Sequence, residues 1–233
     1  MTRPIPLSLS LATLIAIFSA LVALGLPGGH TTTAGAATQQ EHAMAMAMAN
    51  APSAQAVNLR MGMRQLWEDH VYWTRMAVIS LTGDLPDTKA TVARLLRNQS
   101  DIGAAIKPYY GAAASKKLTS LLREHILIAA DLIAAAKSGD KSAVAHQQAR
   151  WQSNADDIAA FLNSANPRFW KLGALKGMLY EHLGLTTQEV VARLQHRWAA
   201  DVRISDQINR QALEMADMLS SGIVDQFGSR FRS

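Results

Sequence analysis

Hydrophobic residues recur every three or four positions along most of the chain after Leu59. This spacing places apolar side chains on one face of a helix. No stretch alternates apolar and polar residues with a period of two, so strands are not expected. The clearest helical stripe contains Leu118, Leu121, Leu122, Ile128, Leu132 and Ile133.

Clusters of Gly, Pro, Asp and Asn interrupt this pattern and predict the turns between helices. They divide the chain into four main helices, followed by a shorter helix around 172–183. The pattern Thr186-Thr-Gln-Glu189 resembles a capping box and predicts a long last helix to about Phe227. Because the connections are short, the expected fold class is all-α: an antiparallel up-and-down bundle of four main helices plus one or two extra helical segments. The predicted turns are 83–87, 108–111, 138–140 and 163–167.

The first 36 residues have the three parts of a secretory signal peptide. A short basic start ends at Arg3, a largely apolar stretch covers 5–26, and small residues lead to Ala34-Gly35-Ala36. The pattern predicts export, with the mature protein periplasmic or secreted. The alternative is an uncleaved membrane anchor, because about 20 apolar residues can nearly span a bilayer.

The remaining chain divides by composition. Residues 37–57 are rich in Ala and Met and predict a flexible linker, and residues 58–228 predict the helical domain, with a tail at 229–233. The linker contains the tract His42-Ala-Met44-Ala-Met46-Ala-Met48. Thioether and imidazole groups suit Cu(I), although a low-complexity linker is the simpler interpretation.

Composition narrows the function classes. The chain has no cysteine, so thiol chemistry and Cys-based metal sites are excluded. Without residues 1–36 the formal net charge is 22 − 18 = +4, and the basic residues are scattered. Nucleic acid is therefore not an expected partner, and no stable membrane domain is expected after removal of the signal. No nucleophile-elbow or glycine-rich phosphate loop is present.

One short motif occurs twice at matching positions. Residues 67–70 read Trp-Glu-Asp-His, and residues 122–125 read Leu-Arg-Glu-His. Each is followed by Asn-x-x-Asp-Ile, which places Asp101 after His70 by 101 − 70 = 31 positions and Asp157 after His125 by 157 − 125 = 32 positions. In a helical hairpin folded near its midpoint, each Asp would lie level with its His. The motif predicts a polar layer in the middle of the bundle.

A third copy of the His motif ends at His182, in Leu179-Tyr-Glu-His182. Its distance from the turn near Pro167 again predicts a mid-bundle position. Asp206 follows His182, but no helix breaker lies near their midpoint at Leu194. On one straight helix the two would lie far apart, so Asp206 is left out of the layer.

Imidazole and carboxylate groups are the usual ligands of copper, zinc and iron, and helix-bundle cores can hold such ions. Three interpretations stay open: a metal site for binding or sensing, a structural or interaction module with a buried His–Asp register network, and acid–base or metal-assisted catalysis. A di-iron centre is disfavoured because none of the histidines has Glu three positions before it. The candidate metal ligands are His70, His125, His182, Asp101 and Asp157.

Three other side chains bear on this hypothesis. Arg75 lies near the His70 face and could pair with a buried acid, although a solvated position is favoured. Met215 and Met218 could serve as soft ligands, but methionine in a bundle is usually core filler.

Several segments resemble a family of exported bacterial helical proteins without an established activity, and the resemblance covers about residues 59–227. It implies an all-helical fold and no particular reaction. Some members carry the labels glycosyltransferase or acetylglutamate kinase, which nothing in this chain supports because it has no nucleotide-binding pattern. The segments are Leu66-Trp-Glu-Asp-His-Val-Tyr-Trp-Thr-Arg75, Asp101-Ile-Gly-Ala-Ala-Ile-Lys-Pro-Tyr-Tyr-Gly111, Arg123-Glu-His125, Asn154-Ala-Asp-Asp-Ile158 and Met215-Ala-Asp-Met-Leu219.

Overall fold

A computed structural model describes residues 52–232, together with five residues of the preceding segment that are helical and exposed: Gln39, Glu41, His42, Met44 and Met46. The chain divides into two units, Met1–Ala51 and Pro52–Ser233. The predicted signal peptide and most of the predicted linker lie outside the described residues.

The second unit consists of five α-helices and a short 3-10 helix, with no strand between residues 52 and 232. The all-α prediction is therefore confirmed. Ser53 caps the first helix by accepting a hydrogen bond from the amide of Ala56. The helices are α1 (Ala54–Gly83), α2 (Thr88–Ser138), α3 (Lys141–Ala165), α4 (Leu172–Leu194) and α5 (Trp198–Gln226), and the 3-10 helix is Gly228–Phe231.

Helix α2 is sharply bent at Gly111, which has a φ of 84° that disfavours any residue with a side chain. The bend separates 88–110 (α2N) from 112–138 (α2C). The two halves pack against each other. Arg123 on α2C donates to the carbonyl of Leu96, and Gly103 lies so close to α2C that a side chain there would collide with it. The predicted break at 108–111 is confirmed.

Helices that follow each other in the chain pack together, and α5 packs against α1. In the first pair, Ser80 bonds to Asp87 beside the turn and Asn98 bonds to Leu66 farther along, as in an antiparallel hairpin. Three helical hairpins can thus be defined: α1 with α2N, α2C with α3, and α4 with α5. Each contains one of the three motif histidines.

The predicted long last helix starting at Thr186 is wrong. Thr186 lies inside α4, where its hydroxyl donates to the carbonyl of His182. The chain turns at 195–197 instead, with His196 in the left-handed region at φ 56°. Histidine tolerates this conformation better than most residues, so a turn forms without the usual Gly or Pro.

The core is tightly packed where helices approach. Ala155, Ala159 and Ala216 have no exposed surface, and Gly222 packs directly against the indole of Trp170. Small residues at these contacts let the helix axes come close together. None of the helices within 52–232 combines the length and apolar character needed to cross a membrane.

Candidate functional site

Three histidines from three different hairpins meet in the interior. His70 lies on α1, His125 on α2C and His182 on α4. The ring centroids of His70 and His182 are 5.8 Å apart, and those of His125 and His182 are 6.4 Å apart. His125 and His182 are buried and His70 is partly buried. The prediction that these side chains share one layer matches their observed positions.

Each histidine has a side-chain amide 29 positions after it, on the other helix of its hairpin. The Nδ1 atom of His70 is 3.2 Å from Gln99 Nε2, and the Nδ1 atom of His125 is 2.8 Å from Asn154 Oδ1. Gln211, on α5, follows His182 at the same spacing (211 − 182 = 29). Side-chain amides, rather than carboxylates, therefore contact the imidazoles of His70 and His125.

The amides are themselves held by backbone carbonyls four residues before each histidine. Asn154 donates to the carbonyl of Leu121 over 3.1 Å, and Gln211 donates to that of Met178 over 2.8 Å. In the first hairpin the neighbouring Asn98 takes this role and donates to Leu66 over 3.0 Å. In all three hairpins, a side-chain amide on one helix thus bonds to the backbone of the other helix at the same position relative to the histidine.

The bond between Asn154 and Leu121 determines which ring nitrogen of neutral His125 carries the hydrogen. Because the Asn154 amide nitrogen donates to Leu121, its oxygen faces the ring and accepts from Nδ1–H. The other nitrogen, Nε2, then has a free lone pair. His125 is thus fixed in the form that can bind a metal through Nε2.

The other two hairpins leave buried polar atoms without partners. Among residues 52–232, these include His182 Nδ1, Gln211 Oε1 and Gln99 Oε1. The Gln99 nitrogen lies within bonding distance of Leu95 O, Asn98 Oδ1 and His70 Nδ1, although it has only two hydrogens. Buried polar atoms normally have partners, so this concentration of unsatisfied atoms needs an explanation.

The three rings line a cavity of about 50 Å³. None of its lining residues carries a carboxylate. A second cavity, of about 60 Å³, lies beside it and is lined by apolar side chains. The two share Trp67, Ile102, Leu122, Ile158, Leu179 and Met215.

Burial makes all three imidazoles poor bases. Removal from water, followed by the nearby rings of His182 and His125, lowers the pKa of His70 to about 3. Removal from water is also the main cause that lowers the pKa of His125 to about 4, and it lowers the pKa of His182. The layer is therefore uncharged at neutral pH.

Asp101 and Asp157 are both exposed, so the structure does not bring them into this layer. Each follows an inward-facing Asn by three positions, an offset of about 60° around the helix, which places the carboxylate beyond the edge of the buried face. Asp206 is exposed as well. In each Asn-x-x-Asp motif the buried member is the Asn.

The acids next to the histidines do not join the layer either. Glu68, Glu124 and Glu181 are exposed, and Asp69 pairs with Arg94 over 3.0 Å. In the part of the chain that the structure describes, no three His, Asp or Glu side chains are placed closely enough to hold a metal ion as they stand.

A second buried polar group lies near the turn between α4 and α5. We call Arg75, Arg193, Glu189 and Asp201 the ion cluster. Arg75 bonds to both acids, and Arg193 donates to Asp201 over 2.9 Å. Glu189 and Asp201 are 1% and 2% exposed. The expected solvated position of Arg75 is wrong, because its guanidinium forms ion pairs with two buried carboxylates.

Comparisons with protein-family models, with curated proteins and with solved structures found no match. The resemblance to exported helical proteins therefore stays a prediction from the sequence segments.

Proposed function

We propose that the protein binds one transition-metal ion between His70, His125 and His182, in a binding or sensing role rather than as an enzyme. One observation carries this proposal. Three uncharged imidazoles from three hairpins, two of them buried and one partly buried, line a small cavity, and side-chain amides contact the Nδ1 atoms of His70 and His125. Metal-binding histidines typically have such a partner on the nitrogen that does not bind the metal.

The spacing of the rings supports a modest closure. Three imidazoles bound through nitrogen at about 2 Å to one tetrahedral ion would have centroids about 5 Å apart. The observed 5.8 and 6.4 Å are each about 1 Å wider. For these two pairs, side-chain movements of about 1 Å would bring the rings to that spacing.

Closure around an ion would also change the hydrogen bonds of the unpaired atoms beside His182 and His70. On His182, a shift that joins Nδ1 to Gln211 Oε1 would satisfy two buried atoms at once. On His70, Gln99 places its amide nitrogen beside Nδ1, so binding through Nε2 would require this amide to turn by 180° and give up its contacts with Leu95 O and Asn98 Oδ1. Both changes leave Nε2 free to bind the ion.

The alternative is a structural or interaction module in which this layer only fixes helix register. The bonds of Asn154 and Gln211 to backbone carbonyls favour it, since they tie the hairpins together without an ion. The two proposals differ in whether an ion raises the melting temperature. We also propose a periplasmic or secreted location, on the pattern of residues 1–36 alone.

The test is the metal content of the full chain after loading separately with copper, zinc and iron. The N-terminal tract could bind metal independently, so a silenced-tract chain carries His42→Ala with Met44, Met46 and Met48 each changed to Leu. We expect about one ion per chain and a rise in melting temperature for at least one metal.

Variants then locate the ion. In the silenced-tract chain, His125→Ala and His182→Ala should lower metal content well below one ion per chain. The matched control His146→Ala, at an exposed histidine, should leave it unchanged. No stoichiometric metal and no thermal shift with any of the three metals would refute the metal proposal and favour the register network.

A further inference from the structure

We infer that the ion is monovalent copper, Cu(I), and that the thioether of Met215 is its fourth ligand. This inference rests on the proposed metal site and adds the identity of the metal and one more ligand. Its starting point is the composition of the cavity wall, which pairs three imidazoles with one sulfur atom and no carboxylate.

Met215 differs from the other methionines of the core in the cavities that it lines. It lies on α5 and lines both the histidine cavity and the apolar cavity beside it. Met63, Met178 and Met218 line only the apolar cavity. Met215 is therefore the methionine whose sulfur can approach an ion held by the three rings.

The charge balance of the site favours a monovalent ion. The histidines are neutral and no acid lines the cavity, so nothing there offsets the charge of a bound cation. The cost of moving an ion out of water rises with the square of its charge, which makes a divalent ion about four times as costly as a monovalent one. Zinc and Fe(II) lack a compensating anion at this position.

The chemistry of the ligands points the same way. Thioethers bind Cu(I) well and hard divalent ions poorly, and imidazole suits copper in either state. The cavity next to Met215 is lined by apolar side chains. Apolar surroundings and soft, uncharged ligands favour the lower charge.

The experiment measures Cu(I) and Zn(II) affinities of the silenced-tract chain, with Cu(I) supplied without oxygen in competition with a chromophoric Cu(I) chelator. Two matched variants are compared: Met215→Leu and Met218→Leu. Both remove one sulfur from the same helix and keep a similar apolar volume, so folding effects should be alike. Helicity and melting temperature of the metal-free variants verify this.

We expect Cu(I) to bind in preference to Zn(II). Met215→Leu should weaken Cu(I) binding at least about tenfold, equal to about 1.4 kcal/mol, and leave Zn(II) binding unchanged, whereas Met218→Leu should change neither. Equal Cu(I) affinities in the two variants, or preferred binding of Zn(II), would overturn the inference and leave the three-histidine site standing. Failure of every metal to bind would refute both.

Discussion

Two buried polar regions lie close together in this protein and have opposite character. The histidine layer consists of uncharged rings around a cavity, with several polar atoms unpaired. The ion cluster, five residues farther along α1 at Arg75, contains two acids and two arginines that pair completely with one another. Only the first region leaves something for a ligand to satisfy.

The contrast indicates how to interpret buried polar groups. Charges that are fully paired within the protein can be explained by structure alone, since Arg75 joins α1 to both α4 and α5. Uncharged polar groups that line a cavity and have no partner within the protein are groups that a ligand can satisfy. This contrast is why we propose the histidine layer, rather than the ion cluster, as the functional site.

The largest expected effect on the free energy of unfolding comes from removing one arginine of the ion cluster. Arg75→Met leaves Glu189 and Asp201 buried with only Arg193 to compensate them. Loss of one partner from a buried charge pair costs about 3–5 kcal/mol, so the free energy of unfolding in urea should fall by about that amount.

Arg150→Met provides the control, because this arginine is exposed and makes only a loose ion pair. Metal binding by folded Arg75→Met should equal that of the unsubstituted chain. A loss of metal binding without a loss of stability would show that the two regions are not separate.

The next effect is the response of the metal-free protein to acid. In the folded state the pKa of His125 is about 4, below the usual 6.5, so the unfolded chain binds a proton more readily. The stability that His125 contributes is complete above pH 6.5 and is lost as the pH falls towards 4. Between pH 7 and 5 the loss should be about 2 kcal/mol per buried histidine.

Urea unfolding at pH 7, 6 and 5 measures this loss. His125→Gln should show a shallower pH dependence, while the exposed His146→Gln should match the unsubstituted chain. Burial raises the pKa of Glu189 above its usual 4.5, so this group contributes with the opposite sign, and the difference between His125→Gln and the unsubstituted chain isolates the histidine. Stability that rose between pH 7 and 5 would contradict the account.

The smallest effect tests the residues that the structure leaves outside the layer. Asp101→Asn combined with Asp157→Asn should change the free energy of unfolding by less than about 0.5 kcal/mol, because both side chains are exposed. Metal content should also stay at about one ion per chain. A drop in metal content would return the carboxylates to the site and weaken the case for an uncharged set of ligands.

Sequence patterns predicted the helices well wherever a turn is marked by Gly or Pro. The break at Gly111 and the turn at Gly139 were both expected, and both glycines have positive φ. The turn at 195–197 was missed because it contains neither residue and relies on His196. Because this turn was missed, the sequence did not indicate that α4 and α5 form a third hairpin, or that His182 and Gln211 lie on its two helices.

The site was only partly predictable. The histidines were found because the short motif that ends in each of them repeats along the chain, whereas the amides were overlooked beside the more conspicuous Asp residues. A spacing of 29 positions between each histidine and its amide was the available pattern. The ion cluster was not accessible in this way, because Arg75 meets partners 114 and 126 positions away whose proximity depends on the whole fold.

X-ray absorption at the copper edge gives the most direct test of the three-histidine site. The silenced-tract chain would be loaded with Cu(I) and its copper neighbours counted. We predict about three nitrogen neighbours with the multiple scattering of imidazole rings, together with one sulfur neighbour that disappears in Met215→Leu. Copper surrounded mainly by oxygen, or with no imidazole scattering, would contradict the account.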